Sequence, residues 1–235
     1  MARRVPRVVC VHAMQASLRP TKRAFAQGFP EADVHDLLDS SLSVDVGADG
    51  LSPAMHERFV ALGRYALDGA RADAILFTCS AFGSCIEAVQ ADISDIPVLK
   101  PNESLQRAAV ESSNDDSIGV LAMFEPTLPS ISRELGDLAD ICGKRISIES
   151  RYVDGALAKL GQGDDDGCAE LIARDAVVLV RGSADISTVA LAMFSMAFAR
   201  PAVEAALASA FPGRELRVLT SPDAAVADLR ARLAQ

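Results

Sequence analysis

Short β-branched runs recur along this chain, separated by longer Ala-rich segments, and that alternation leaves few folds open. It is the rhythm of β-α units built around mainly parallel sheets. The runs predict strands at Arg7–His12, Asp33–Leu37, Ala74–Thr78, Val98–Leu99, Ser117–Ala122, Arg145–Glu149, Ala176–Val180 and Leu216–Leu219. Helices are expected between them, over Pro20–Gln27, Ser52–Asp68, Phe82–Ala91, Glu103–Ser112, Thr127–Leu138, Asp154–Lys159, Asp166–Arg174, Ser187–Ala199, Pro201–Ser209 and Pro222–Ala234. The split at Pro201 follows from the missing N–H and fixed φ of proline.

An internal echo adds organisation. PRVVCVHA and DSIGVLAMFEPT each read as a strand, a loop and a helix start. ADAILFTCSAFGSCIE is matched by RDAVVLVRGSADISTV, and IPVLKPNESL by LRVLTSPDAAV. Three paired landmarks in one order predict an α/β fold of two pseudo-symmetric Rossmann-like lobes with an active-site cleft between them. Residues 1–103 with 210–235 should form the N-terminal lobe, and 104–209 the C-terminal lobe. Ligands of open parallel sheets sit at the carboxyl ends of strands, so Cys79 in one half and the Arg181–Asp185 loop in the other are expected to face each other.

Composition excludes several classes of function. With 23 Lys and Arg against 32 Asp and Glu, the net charge of −9 argues against a nucleic-acid partner. The five cysteines include neither CxxC pairs nor histidines at ligand spacing, so neither a disulfide framework nor a zinc site is expected, and a reducing cytoplasm fits. No metal and no cofactor is implied. The opening MARRVPRVVCVHAM has Arg7 inside its apolar run, which argues against a signal peptide. VALAMFSMAFA, from Val189 to Ala199, is too short for a bilayer and reads as a buried helix. Its Met and Phe residues would serve a homodimer or higher oligomer, although such a stripe is more often core.

The chemistry concentrates on FTCSAFG. A thiol at a helix start gains from unpaired N–H groups and the positive dipole end, which favour its thiolate. The same N–H groups suit a carboxylate or a developing enolate. Thr78 and Ser80 add hydroxyls, and Ala81 and Gly83 keep the backbone approachable. Against this stands the bland reading of Cys79 as a small core residue, which also covers Cys85, Cys10, Cys142 and Cys168. His12 ends the first strand and would reach the cleft or be a satisfied structural histidine; His35 and His56 carry no motif. Asp36, Asp39 and Asp45 read as turn and cap residues rather than a lid or metal loop. GQGDDDGC reads as a solvated turn.

These segments together resemble the aspartate/glutamate/hydantoin racemase superfamily, in its branch of short proteins. HAMQASLRPTKRAF, LLDSSL, ILFTCSAFG, IPVLKPNESL, IGVLAMFEPTLPS and VLTSPDAAV carry the resemblance over most of the chain. It implies cofactor-independent proton transfer at the α-carbon of a small carboxylate such as an amino acid, with Cys79 as the family's first catalytic cysteine. The remaining candidates follow from it. Ser183 and Asp185 are expected on the catalytic side, and Thr78, Ser80, Ala81, His12, Asn102, Thr127, Arg181 and Gly182 in substrate binding. Departures accompany the match: Ser80 and Ala81 stand where relatives often have Asn and Thr, Met123 where they often have Thr, and Gly182 occupies the place expected for the second cysteine. A one-thiol decarboxylase or lyase of the same fold, as in arylmalonate decarboxylase, and a non-catalytic carboxylate-binding protein are the alternatives.

Overall fold

The computed structural model describes residues 5–113 and 117–234. Arg3 and Arg4, the basic residues of the leader question, lie outside the described residues. The chain divides into two compact units, one reaching to Ser104 and resuming at Pro222, the other running from Leu105 to Ser221.

In the first unit, β1 (Arg7–His12), β2 (Asp33–Leu38), β3 (Ala74–Phe77) and β4 (Val98–Leu99) form a parallel sheet in the order β2-β1-β3-β4. β1 and β3 are the two central strands, and their apolar runs are covered on both faces, as parallel sheets require. The connecting helices are α1 (Leu18–Gly28), α2 (Leu42–Asp49), α3 (Pro53–Arg64) and α4 (Gly83–Asp92). α3 begins where Ser52 Oγ accepts from the Met55 N–H and Pro53 sits in the first turn, a start that uses the side-chain oxygen and the missing proline N–H together. One face of the sheet buries Phe59, whose ring stacks on Phe77 at 5.5 Å and on Phe82 at 4.8 Å.

The second unit repeats the plan. β5 (Ser117–Ala122), β6 (Ser147–Tyr152), β7 (Ile186–Leu191) and β8 (Arg217–Thr220) form a parallel sheet in the order β6-β5-β7-β8. Its helices are α5 (Glu103–Ser112), α6 (Leu128–Ile141), α7 (Ala156–Gly161), α8 (Asp165–Gly182) and α9 (Arg200–Ala210). The final helix, α10 (Ser221–Leu233), belongs to the first unit, where Val226 lies against Gly28 and Arg230 pairs with Glu31.

Three expectations are corrected here. The run Ala176–Val180 is the end of α8, not a strand: Cys168, Ile172, Ala176, Leu179 and Val180 are buried with helical spacing. Buried Asp175 on the same helix accepts from Arg151 of β6 at 2.5 Å and from Arg174 at 2.8 Å. Conversely, the segment read as a helix over Ser187–Ala199 holds β7 and then a 3-10 turn, Phe194–Ala199. β7 is buried on both faces, so it shows no alternation in the sequence and reads as one apolar run that a helix could equally supply. Finally, β6 lies two to three residues later than Arg145–Glu149.

Candidate functional site

Cys79 follows β3 directly. The Thr78 N–H donates to the Val11 carbonyl at 3.1 Å, continuing the ladder one residue past the strand. Cys79 then keeps extended backbone (φ −125°, ψ 120°) as the chain enters a short 3-10 turn, Ser80–Phe82, that leads into α4. The corner therefore stands at the carboxyl edge of the sheet, the edge where parallel sheets gather their ligand-binding loops. Ser80 is half-buried and Ala81 exposed on the same corner, while Asn102 is buried just after β4 at that edge.

The half-buried thiol lines a crevice of about 10 Å³ with Val11, Ala13, Leu42, Phe59, Phe77 and Phe82. This is room for about one water, and the walls are apolar. Burial pushes the Cys79 thiol up, and the Ala81 N–H bonded to the sulfur acts the other way. Desolvation thus works against the helix-start effect that favours a thiolate.

His12 and Thr78 sit behind this corner rather than on it. The His12 side chain is fully buried, with Nδ1 2.9 Å from Thr78 Oγ1 and Nε2 3.1 Å from Asp36 Oδ1. Lys22 Nζ lies 3.2 Å from the other Asp36 oxygen. Thr78 Oγ1 is also 3.3 Å from the Val11 carbonyl. The hydroxyl and both ring nitrogens are thus engaged inside the fold, which corrects the reading of Thr78 and His12 as substrate ligands. Burial holds the His12 pKa below its ordinary value, with Asp36 opposing that shift.

Asp39 and Asp45 behave as turn residues tied to a cation. Asp39 accepts from the Ser41 N–H at 3.2 Å and from its hydroxyl at 2.7 Å, and Arg58 bridges Asp39 and Asp45. Among the described residues, no group of three or more His, Cys, Asp or Glu is placed to hold a metal ion, and no helix is long and apolar enough to cross a membrane.

In the second unit the expected site residues separate. Arg181 and Gly182 end α8, and Ser183 and Asp185 link it to the amino end of β7, where the Ser117 N–H donates to the Asp185 carbonyl at 3.0 Å. This is the edge opposite to the one where Cys79 stands in its own sheet. All four are therefore corrected as candidates, for the reason that moved the strand. Thr127 does stand at the carboxyl edge, just before α6, half-buried, with its hydroxyl donating to the Phe124 carbonyl at 2.7 Å.

The true counterpart of Cys79 is Met193. The Ala192 N–H bonds the Leu121 carbonyl at 3.0 Å as Thr78 bonds Val11, and Met193 then precedes its own 3-10 turn with φ −135° and ψ 137°. Its Sδ accepts from the Met123 N–H at 3.3 Å, and Cys168 Sγ lies 3.6 Å from Met123 Sδ. The sequence carries a signal for this alignment: Ala72-Asp73 and Ala184-Asp185 stand immediately before β3 and β7. Asp36 and Lys22, the partners of His12, had no such signal.

Comparison with known proteins gives a consistent fold. No protein-family model and no curated protein sequence matches the chain. Among solved structures, it is similar to glutamate racemase from Francisella tularensis subsp. tularensis in complex with D-glutamate (TM-score 0.68, 17% identity, 98% of this chain and 81% of that one). It is also similar to Picrophilus torridus aspartate racemase (TM-score 0.62, 15% identity, 97% and 94%) and to an unliganded arylmalonate decarboxylase (TM-score 0.61, 14% identity, 97% and 93%). The chain has the fold of the aspartate/glutamate/hydantoin racemase superfamily.

Proposed function

We propose that this protein is a cofactor-independent enzyme of the racemase and isomerase kind, transferring a proton at the α-carbon of a small carboxylate with Cys79 as its acid/base. The observation that carries this reading is the Cys79 corner: a half-buried thiol at the carboxyl edge of a parallel sheet, with the Ala81 N–H on its sulfur. The thiol gives its proton to a carbanionic or enolic carbon and takes one back from an α-C–H, while N–H groups of the Ser80–Phe82 turn are suited to the developing negative charge. Ser80, Ala81 and Asn102 are the candidates for binding the acid group.

A second reading is favoured by Met193. A thioether neither gives nor takes a proton, so of the two equivalent strand-end positions only one carries an acid/base. Two-base racemisation needs one on each face of the carbon. A one-thiol reaction, such as a decarboxylation in which carbon dioxide leaves and Cys79 protonates the resulting enediolate, needs only one, and the thiol's raised pKa suits a donor.

The test is deuterium uptake from heavy water, read by mass spectrometry, across aspartate, glutamate, hydantoins, malonates and maleate, with wild type beside Cys79→Ser. Uptake at an inverted centre supports racemisation. Carbon dioxide release with one deuterium per product supports the one-thiol reaction. Thermal stabilisation by a carboxylate with no exchange at all would replace both readings with a binding protein.

A further inference from the structure

The hydrogen-bonded chain Lys22–Asp36–His12–Thr78, exposed at Lys22 and buried at His12 and Thr78, ends one residue from the thiol. The second unit supplies an internal control. Strand registers place Ala122 where the first unit has His12, Ala192 where it has Thr78, and Ser150 where it has Asp36. Counting on from the matched 3-10 turns places Ser132 at the position of Lys22. The same sheet edge is thus built a second time from alanine and serine, with the same ladder bond closing the corner. Burying an imidazole and part of a carboxylate costs free energy that apolar residues would not, and at this sheet edge the first unit carries that cost while the second does not.

The hydrogen bonds accommodate two protonation states of His12. A carboxylate only accepts, so Nε2 donates to Asp36 and leaves Nδ1 bare in the neutral ring. The Thr78 hydroxyl then donates to Nδ1 across 2.9 Å. When His12 takes a proton, Nδ1–H donates to Thr78 Oγ1, and the hydroxyl turns to the Val11 carbonyl at 3.3 Å. Every donor keeps an acceptor in both states.

We propose that His12 is a positioning residue for Cys79, acting through Thr78: its protonation turns the Thr78 hydroxyl and places a positive charge behind the thiol, which favours the thiolate. The charged groups facing His12 are Asp36 on β2 and Lys22 on α1. Cys10 of β1, also buried, is pushed far up by burial and stays neutral. The inference rests on Cys79 being the reacting thiol, and its test reads the thiol itself, so it succeeds or fails whatever substrate the protein takes.

The experiment follows alkylation of Cys79 by iodoacetamide, resolved by peptide mass spectrometry, between about pH 5 and pH 10 in the full chain. His12→Gln offers an amide N–H to Asp36 and a carbonyl to Thr78 but takes up no proton. Wild type is expected to show a shoulder on the acid side of 6.5, where its rate exceeds the line of an isolated thiol by about fivefold. His12→Gln should follow that line throughout. Asp36→Asn, which removes the carboxylate favouring the cation, should move the shoulder to lower pH, and it carries the test if His12→Gln does not fold. A wild-type profile without a shoulder, or a shoulder that persists in His12→Gln, overturns the proposal.

Discussion

At the scale of single residues, what distinguishes Cys79 from the other thiols is its setting. Cys10, Cys85 and Cys168 are buried and Cys142 is exposed, whereas Cys79 is half-buried at a sheet edge with a backbone N–H on its sulfur. Because burial raises its pKa, less thiolate forms at neutral pH, so peptide-resolved alkylation at pH 7 should modify exposed Cys142 before Cys79. His12 makes a separate contribution to stability. Its folded pKa lies below the unfolded value of 6.5, so the unfolded chain binds the proton more readily as pH falls. Stability should therefore be complete above that pH and decline below it, and His12→Gln should flatten that part of a urea-midpoint against pH curve. Phe59 is the clearest packing residue, stacked on Phe77 and Phe82. Phe59→Ala should cost about 3–5 kcal/mol in urea denaturation.

At the scale of elements, β1, β4, β5 and α5 were legible to the residue, because each combines one period with a clear stop. The exchange of α8 and β7 was not. Val177 to Val180 read as a strand because β-branched residues favour one, but a helix wins where its buried stripe continues unbroken from Cys168. That single exchange moved the second expected site to the wrong edge of the sheet and put Gly182 in the place that belongs to Met193. Close packing gives an independent check on the helices of the first unit. A Cβ on Gly63 of α3 would lie 2.5 Å from Val89 Cγ1 on α4, and a β-branched side chain has little freedom to move aside. Gly63→Ala should destabilise by about 1–3 kcal/mol, and adding Val89→Ala should recover part of that loss in a double-mutant cycle.

At the scale of the whole molecule, two units of one topology carry unequal chemistry. The repeat was readable in the sequence; in the structure α10 groups with the first unit while β8 pairs with β7 in the second. Deleting residues 222–235 removes Val226, Leu229 and the Arg230–Glu31 pair from the first unit. The truncated chain should lose the protection of β1 in hydrogen exchange while β5 keeps its own. The inequality was hidden from sequence reading, because it depends on strand register: His12, Thr78 and Cys79 stand where the other unit has Ala122, Ala192 and Met193. The account therefore assigns the proton chemistry to one thiol. The most direct measurement compares Cys79→Ser with Met193→Ala in solvent-deuterium incorporation on whichever carboxylate the wild type turns over. The account predicts that incorporation is lost in the first, by about a hundredfold or more, and survives in the second. Incorporation that survives Cys79→Ser in a folded protein would contradict it.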